Sequence, residues 1–153
     1  MDFKILNLWQ AEDFVAKKYL TLKTPYSLIS ITEPGTINHL RDDKKRYGVL
    51  RLSFHDLDVE TYGYKIFNKD HAKTILNFYV DSFNNDVGTI IVHCHAGLSR
   101  SPAVAIALCE IADQDSEDLI KTYPYYNKLV YRVLINTYWE DETKYKFITR
   151  IKE

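Results

Sequence analysis

The chain has 153 residues, 46% hydrophobic and 27% charged, with a formal net charge of −1. That length and balance fit one globular domain with a buried core and exclude fibrous and disordered classes. A net charge this small gives no bulk attraction to nucleic acid or to an anionic membrane, so any anion site has to be local.

Two cysteines, Cys94 and Cys109, are too few for a disulfide framework and imply a reducing setting with a free thiol available. The stretch from Met1 to Trp9 lacks the apolar core and cleavage site of a signal peptide. No apolar run approaches the roughly 18–20 residues of a membrane span. The expectation is a soluble, cytoplasmic protein with no nucleic-acid or membrane partner.

In chain order, Ile5 to Leu8 reads as a short edge strand. Gln10 to Lys18 reads as a helix, with Ala11, Phe14, Val15 and Lys18 at helical spacing, ended by Lys23-Thr24-Pro25. Tyr26 to Ile31 is a β-rich core strand closed by the turn Glu33-Pro34-Gly35. Thr36 to Arg46 is polar, with a short helix near Ile37 to Leu40. It ends in Lys44-Lys45-Arg46, a solvated face or a steering patch for an anion. Val49 to Phe54 alternates with period two and reads as a strand, followed at its C-terminal end by His55-Asp56-Leu57-Asp58. In open α/β sheets ligands gather at such ends.

After a loop at Thr61 to Lys65, Asn68 or Asp70 caps a helix whose buried face carries Ala72, Ile75, Leu76, Tyr79, Val80 and Phe83. Gly88 opens the central strand, Thr89 to Val92. Residues 102–112 are apolar nearly all round, which suits a helix in the middle of a domain. Another helix starts at Ser116-Glu117-Asp118, with Ser116 as N-cap, and breaks at Tyr123-Pro124. Tyr125 to Tyr138 resumes it. Glu140 to Glu153 is expected to be helical, docking through Tyr145, Phe147, Ile148 and Ile151. The alternation predicts an α/β fold: a central, mainly parallel sheet of about four to five strands flanked by helices on both faces, in one domain over 1–153.

The chemistry concentrates in His93-Cys94-His95-Ala96-Gly97-Leu98-Ser99-Arg100-Ser101, between the apolar strand and the apolar helix. A thiolate is the nucleophilic form of cysteine. Cys94 ends a strand facing a helix start, where the dipole and unpaired N–H groups favour negative charge. Ser101-Pro102 suits a helix start, with Pro at the first position. The five residues between Cys94 and Arg100 can curl their N–H groups inward as an anion nest. Gly97 permits a backbone shape closed to other residues, and Arg100 supplies a planar fork for two phosphate oxygens. Thiolate, nest and fork converge on one tetrahedral dianion. Cys109, inside the apolar helix, reads as core. His93 and His95 flank Cys94, but strand alternation points them away from its side chain, against a shared metal site.

His-Cys-x-x-Gly-x-x-Arg-Ser resembles the signature of the protein tyrosine phosphatase superfamily. It is matched by His93, Cys94, Gly97, Arg100 and Ser101, with a favoured Ala96. Short length and element order are similar to the small dual-specificity phosphatases. The resemblance implies Cys94 as nucleophile, and Arg100 with the loop residues His95, Ala96, Gly97, Leu98 and Ser99 as the phosphate site. Ser101 would donate to the Cys94 sulfur, and His93 would orient the loop. The family's general-acid Asp falls in the loop after Phe54-His55. Asp56 is preferred there and Asp58 is the alternative, both somewhat farther upstream of Cys94 than the family spacing.

The resemblance implies a cysteinyl-phosphate mechanism with no metal or cofactor, acting on phosphotyrosine and on phosphoserine or phosphothreonine in protein substrates. The short chain leaves little for pocket walls, so a shallow pocket is expected, which Tyr64 or Tyr125 could border. Phosphoinositides or an RNA 5′-phosphate are the alternatives within the superfamily. Lipids rank lower because no lysine occupies the variable positions His95, Leu98 and Ser99. Outside it stand a catalytically weak phospho-binding module and a sulfur-transfer domain of rhodanese type. Asn127 is expected to be structural.

Overall fold

A computed structural model describes residues 1–16, 24–36, 40, 43–141 and 144–145. The order of elements is β1 (Asp2–Leu6), α1 (Leu8–Ala16), β2 (Tyr26–Thr32), β3 (Arg46–Ser53), α2 (Lys69–Asn84), β4 (Thr89–His93), α3 (Arg100–Ile111), α4 (Glu117–Thr122) and α5 (Lys128–Glu140). The four strands form one parallel sheet in the order β1-β4-β2-β3. This is the α/β sheet expected from the alternating pattern.

The interior strands β2 and β4 are apolar and buried on both faces, as a parallel sheet requires. Their alternation divides the core. Ile29, Ile31, Ile90 and Val92 turn toward α2, α3 and α5. Tyr26, Leu28 and Ile91 turn toward Phe14 and Val15 of α1. α3 is buried over almost its whole length, because it lies beneath α5 and against β1 and β4. Among the described residues, no helix is long and apolar enough to cross a membrane.

Several boundaries differ from expectation, each for a local reason. Helix α1 starts at Leu8, not Gln10, because Asn7 and Gln10 form a reciprocal capping box: Gln10 N donates to Asn7 Oδ1 at 2.8 Å and Asn7 N to Gln10 Oε1 at 2.9 Å. β1 accordingly ends at Leu6. Asn68 is the cap of α2, and Asp70 lies in its first turn. α3 begins at Arg100, so Pro102 sits in the first turn and not at its first position; the missing N–H is harmless there because first-turn donors have no intrahelical acceptor. Ser116 occupies the N-cap position of α4, as expected, but its side chain makes no capping bond. Its hydroxyl donates to Glu110 Oε2 at 2.9 Å, and Asp115 Oδ1 accepts from Glu117 N instead. α5 starts at Lys128, three residues later than expected, because Asn127 caps it. Tyr145 is buried and stacks on Tyr138. The expected helix at Ile37 to Leu40, the end of the first helix at Lys18 and the docking of Phe147, Ile148 and Ile151 lie wholly or partly outside the described residues.

Candidate active site

All four strands deliver a residue to one place at their carboxyl ends. β1 runs into Leu8, β2 into Glu33, β3 into Asp56 and β4 into Cys94, and these four help line a cleft of about 670 Å³. Parallel strands make this convergence automatic, since all their carboxyl ends lie on one side.

Cys94 is 2% exposed at the floor. Its Sγ accepts from Gly97 N at 3.2 Å and lies 3.1 Å from Ser101 Oγ. Both contacts favour negative charge on sulfur when the hydroxyl donates. Gly97 has φ +72°, and a Cβ there would come within 2.9 Å of Asn7 N. The loop therefore needs glycine twice over, for its left-handed turn and for its approach to the β1–α1 junction. Leu8 N donates to His95 O at 3.1 Å across the same contact.

Arg100 is buried, and its guanidinium is fixed from two sides. Nη1 donates to Phe54 O at 2.9 Å, and Nη2 pairs with Glu33 Oε1 at 3.0 Å. Its Nε is buried without a partner. A buried unmet donor is costly, and an anion held by the arginine fork would satisfy it. Glu33 was read in the sequence only as part of a turn. Its position directly after an interior strand was the signal that it belonged to the site.

Asp56 is held by both neighbouring loops. Its Oδ1 accepts from Ser99 Oγ at 2.8 Å and from Asn127 Nδ2 at 2.9 Å. Asp58 is exposed and does not line the cleft. Asn127 connects three elements: its Nδ2 also donates to Leu57 O, its N donates to Ser99 O, and its Oδ1 accepts from Val130 N. His55 accepts from Lys65 N at Nδ1, so its proton sits on Nε2, which lies 4.0 Å from Glu33 Oε2.

His93 is fully buried and paired in register with Ser30. Its Nδ1 lies 3.3 Å from the Cys94 carbonyl and its Nε2 2.7 Å from Ser30 Oγ. Nδ1 must donate to a carbonyl, so Nε2 accepts from Ser30. Burial, with a smaller contribution from Arg51, pushes its pKa down and keeps the ring neutral. His95 lines the cleft too and packs edge-on against Trp9. Of the other loop positions, Ala96 and Ser99 line the cleft, while Leu98 is 60% exposed and stands outside it. Tyr64 packs on His55 and Tyr125 is exposed; neither borders the cleft. Lys44, Lys45 and Arg46 lie at the opposite end of β3 from the cleft, roughly 23 Å away along the strand. Cys109 is buried in α3, where burial raises its pKa.

No protein-family model and no curated protein sequence matches the chain. Solved structures do. PTPMT1 in complex with PI(5)P aligns with a TM-score of 0.62 at 17% identity, over 94% of each chain. Human DUSP28 aligns at 0.58 and 14%, over 93% of this chain and 94% of that one. OH1 from the Orf virus, a tyrosine phosphatase, aligns at 0.51 and 13%, over 89% and 79%. The chain shares their fold.

Proposed function

We propose that this chain, with the fold of the small members of the protein tyrosine phosphatase superfamily, is a cysteine-dependent phosphatase. Its substrates would be proteins carrying phosphotyrosine, with phosphoserine and phosphothreonine alongside. One observation carries the reading: Cys94, its sulfur held by Gly97 N and Ser101 Oγ, lines one cleft together with Arg100 and Asp56.

Cys94 Sγ attacks phosphorus in line, forming the S–P bond as the P–O bond to the leaving group breaks. Asp56 gives its proton to the departing oxygen, so no alkoxide or phenoxide is released. Because Oδ1 already accepts two bonds, that proton belongs on Oδ2. Arg100 and the loop N–H groups take up the charge spreading over the equatorial oxygens. Water then attacks phosphorus, returns a proton to Asp56 and breaks the S–P bond, with Ser101 donating to the departing sulfur. No step calls for a metal.

Hydrolysis of p-nitrophenyl phosphate by wild type and Cys94→Ser, with and without a chelator, tests this reading. Activity is expected in the wild type alone and unchanged by the chelator. Equal rates for wild type and Cys94→Ser would leave only a phospho-binding module. The fold neighbours include one solved with PI(5)P and one called a tyrosine phosphatase, so the fold does not select a substrate.

A further inference from the structure

Among the described residues, three carboxylates line the cleft, Glu12, Glu33 and Asp56, against one permanent cation, Arg100. Glu33 is neutralised by Arg100 at 3.0 Å. Asp56 is occupied by Ser99 and Asn127. Glu12 remains, exposed on α1. Leu8 and Glu12 are four residues apart and so share a helix face, and both line the cleft. Trp9, 62% exposed, packs against His95 beside them. The wall beside the phosphate site is thus apolar at one turn of α1 and anionic at the next, and among the described lining residues no lysine is present to hold a second phosphate.

We infer that Glu12 is a specificity-determining residue that selects a singly phosphorylated peptide with a lysine or arginine next to the phosphorylated residue, and that it rejects substrates carrying several phosphates. This rests on the phosphatase reading above. Arg100, the one permanent cation among the described lining residues, offers a seat for one dianion. A second phosphate on the α1 side would face Glu12 with no described cation to offset it, whereas a basic side chain there forms a half-exposed ion pair.

The test uses two phosphotyrosyl peptides that differ only in having lysine or glutamate beside the phosphorylated residue. An inositol bisphosphate and phosphoinositide vesicles serve as polyanionic probes. At low ionic strength the lysine peptide is expected to show a kcat/KM about three- to ten-fold higher than the glutamate peptide. The ratio should shrink toward one in Glu12→Gln, invert in Glu12→Lys, and shrink in wild type as salt rises. Equal peptides, a ratio unmoved by Glu12→Lys, or either polyanion turned over faster than the lysine peptide would overturn the inference. If p-nitrophenyl phosphate is hydrolysed but the ratio is flat, only this inference fails. If nothing is hydrolysed, the phosphatase reading fails first.

Discussion

The Glu33 carboxylate pairs with Arg100 Nη2 at 3.0 Å, while the Phe54 carbonyl accepts from Nη1 of the same guanidinium. The arginine is thereby set in place before any anion arrives. Preorganised donors stabilise a transition state without reorganising during the reaction. Glu33→Gln should therefore lower kcat about ten-fold, because the amide keeps the size but loses the opposite charge of the pair. Steady-state kinetics with p-nitrophenyl phosphate would read this, and an unchanged kcat would show that Phe54 O alone suffices.

Asp56 and Asp58 are separated by the same reasoning. Asp56 sits in the cleft, held by Ser99 and Asn127, and Asp58 stands exposed outside it. Asp56→Asn should cost on the order of 10²- to 10⁴-fold with phenyl phosphate, whose leaving group needs the proton. It should cost much less with p-nitrophenyl phosphate, whose leaving group departs readily as an anion. Asp58→Asn should leave both rates within about two-fold of wild type, as an exposed loop change usually does. A loss in Asp56→Asn that is the same for both esters would remove Asp56 from the acid role.

Asn127 separates stability from catalysis. As the cap of α5 it accepts from Val130 N, and through Nδ2 it holds Asp56. Asn127→Ala should lose about 1 kcal/mol of stability with the cap and also lower kcat. Asn127→Asp keeps the cap but sets a carboxylate against Asp56, so it should stay near wild-type stability while activity falls. Urea denaturation alongside kinetics checks the pair. Full activity in the aspartate variant would make Asn127 structural only.

His93 is buried neutral, with its pKa pushed down by burial. His71 is shifted the same way by the same cause, and its Nδ1 accepts from Asn68 N. The unfolded chain binds protons at these rings near pH 6.5, before the folded one does. Their contribution to stability is therefore full above about pH 6.5 and is lost as pH falls toward the lower folded values. The urea midpoint should drop between pH 7 and pH 5, and the drop should be smaller in His93→Gln, with His71 left to carry the remainder. Equal slopes would show that His93 does not carry the acid sensitivity.

The sheet and the nucleophile loop were legible in the sequence for a physical reason. Buried parallel strands leave continuous apolar runs, as in Thr89 to Val92, and a phosphate cradle needs its residues close together in the chain. The support around the loop was not legible, because it is assembled across the fold. Glu33 lies 67 positions from Arg100 and reaches it only through the register of β2 with β4. Asn127 lies 71 positions from Asp56. Both residue types also have ordinary local uses, in a turn and at a helix cap, which account for them fully until the strands are set side by side. Helix starts slipped by two or three residues for the same reason: Asn7 fits inside the strand Ile5 to Leu8 and Asn127 inside the helix from Tyr125 until their side-chain capping bonds are seen.

The contact between Gly97 and the Leu6–Asn7 backbone, with Leu8 N on His95 O, ties the nucleophile loop to an edge strand. Edge elements open more easily than the interior, in local fluctuations that do not unfold the rest. An edge strand of the sheet therefore braces its most exacting loop. Inactivation should then run ahead of global unfolding: turnover should fade at urea concentrations or temperatures where β2 and β4 still protect their amides from exchange.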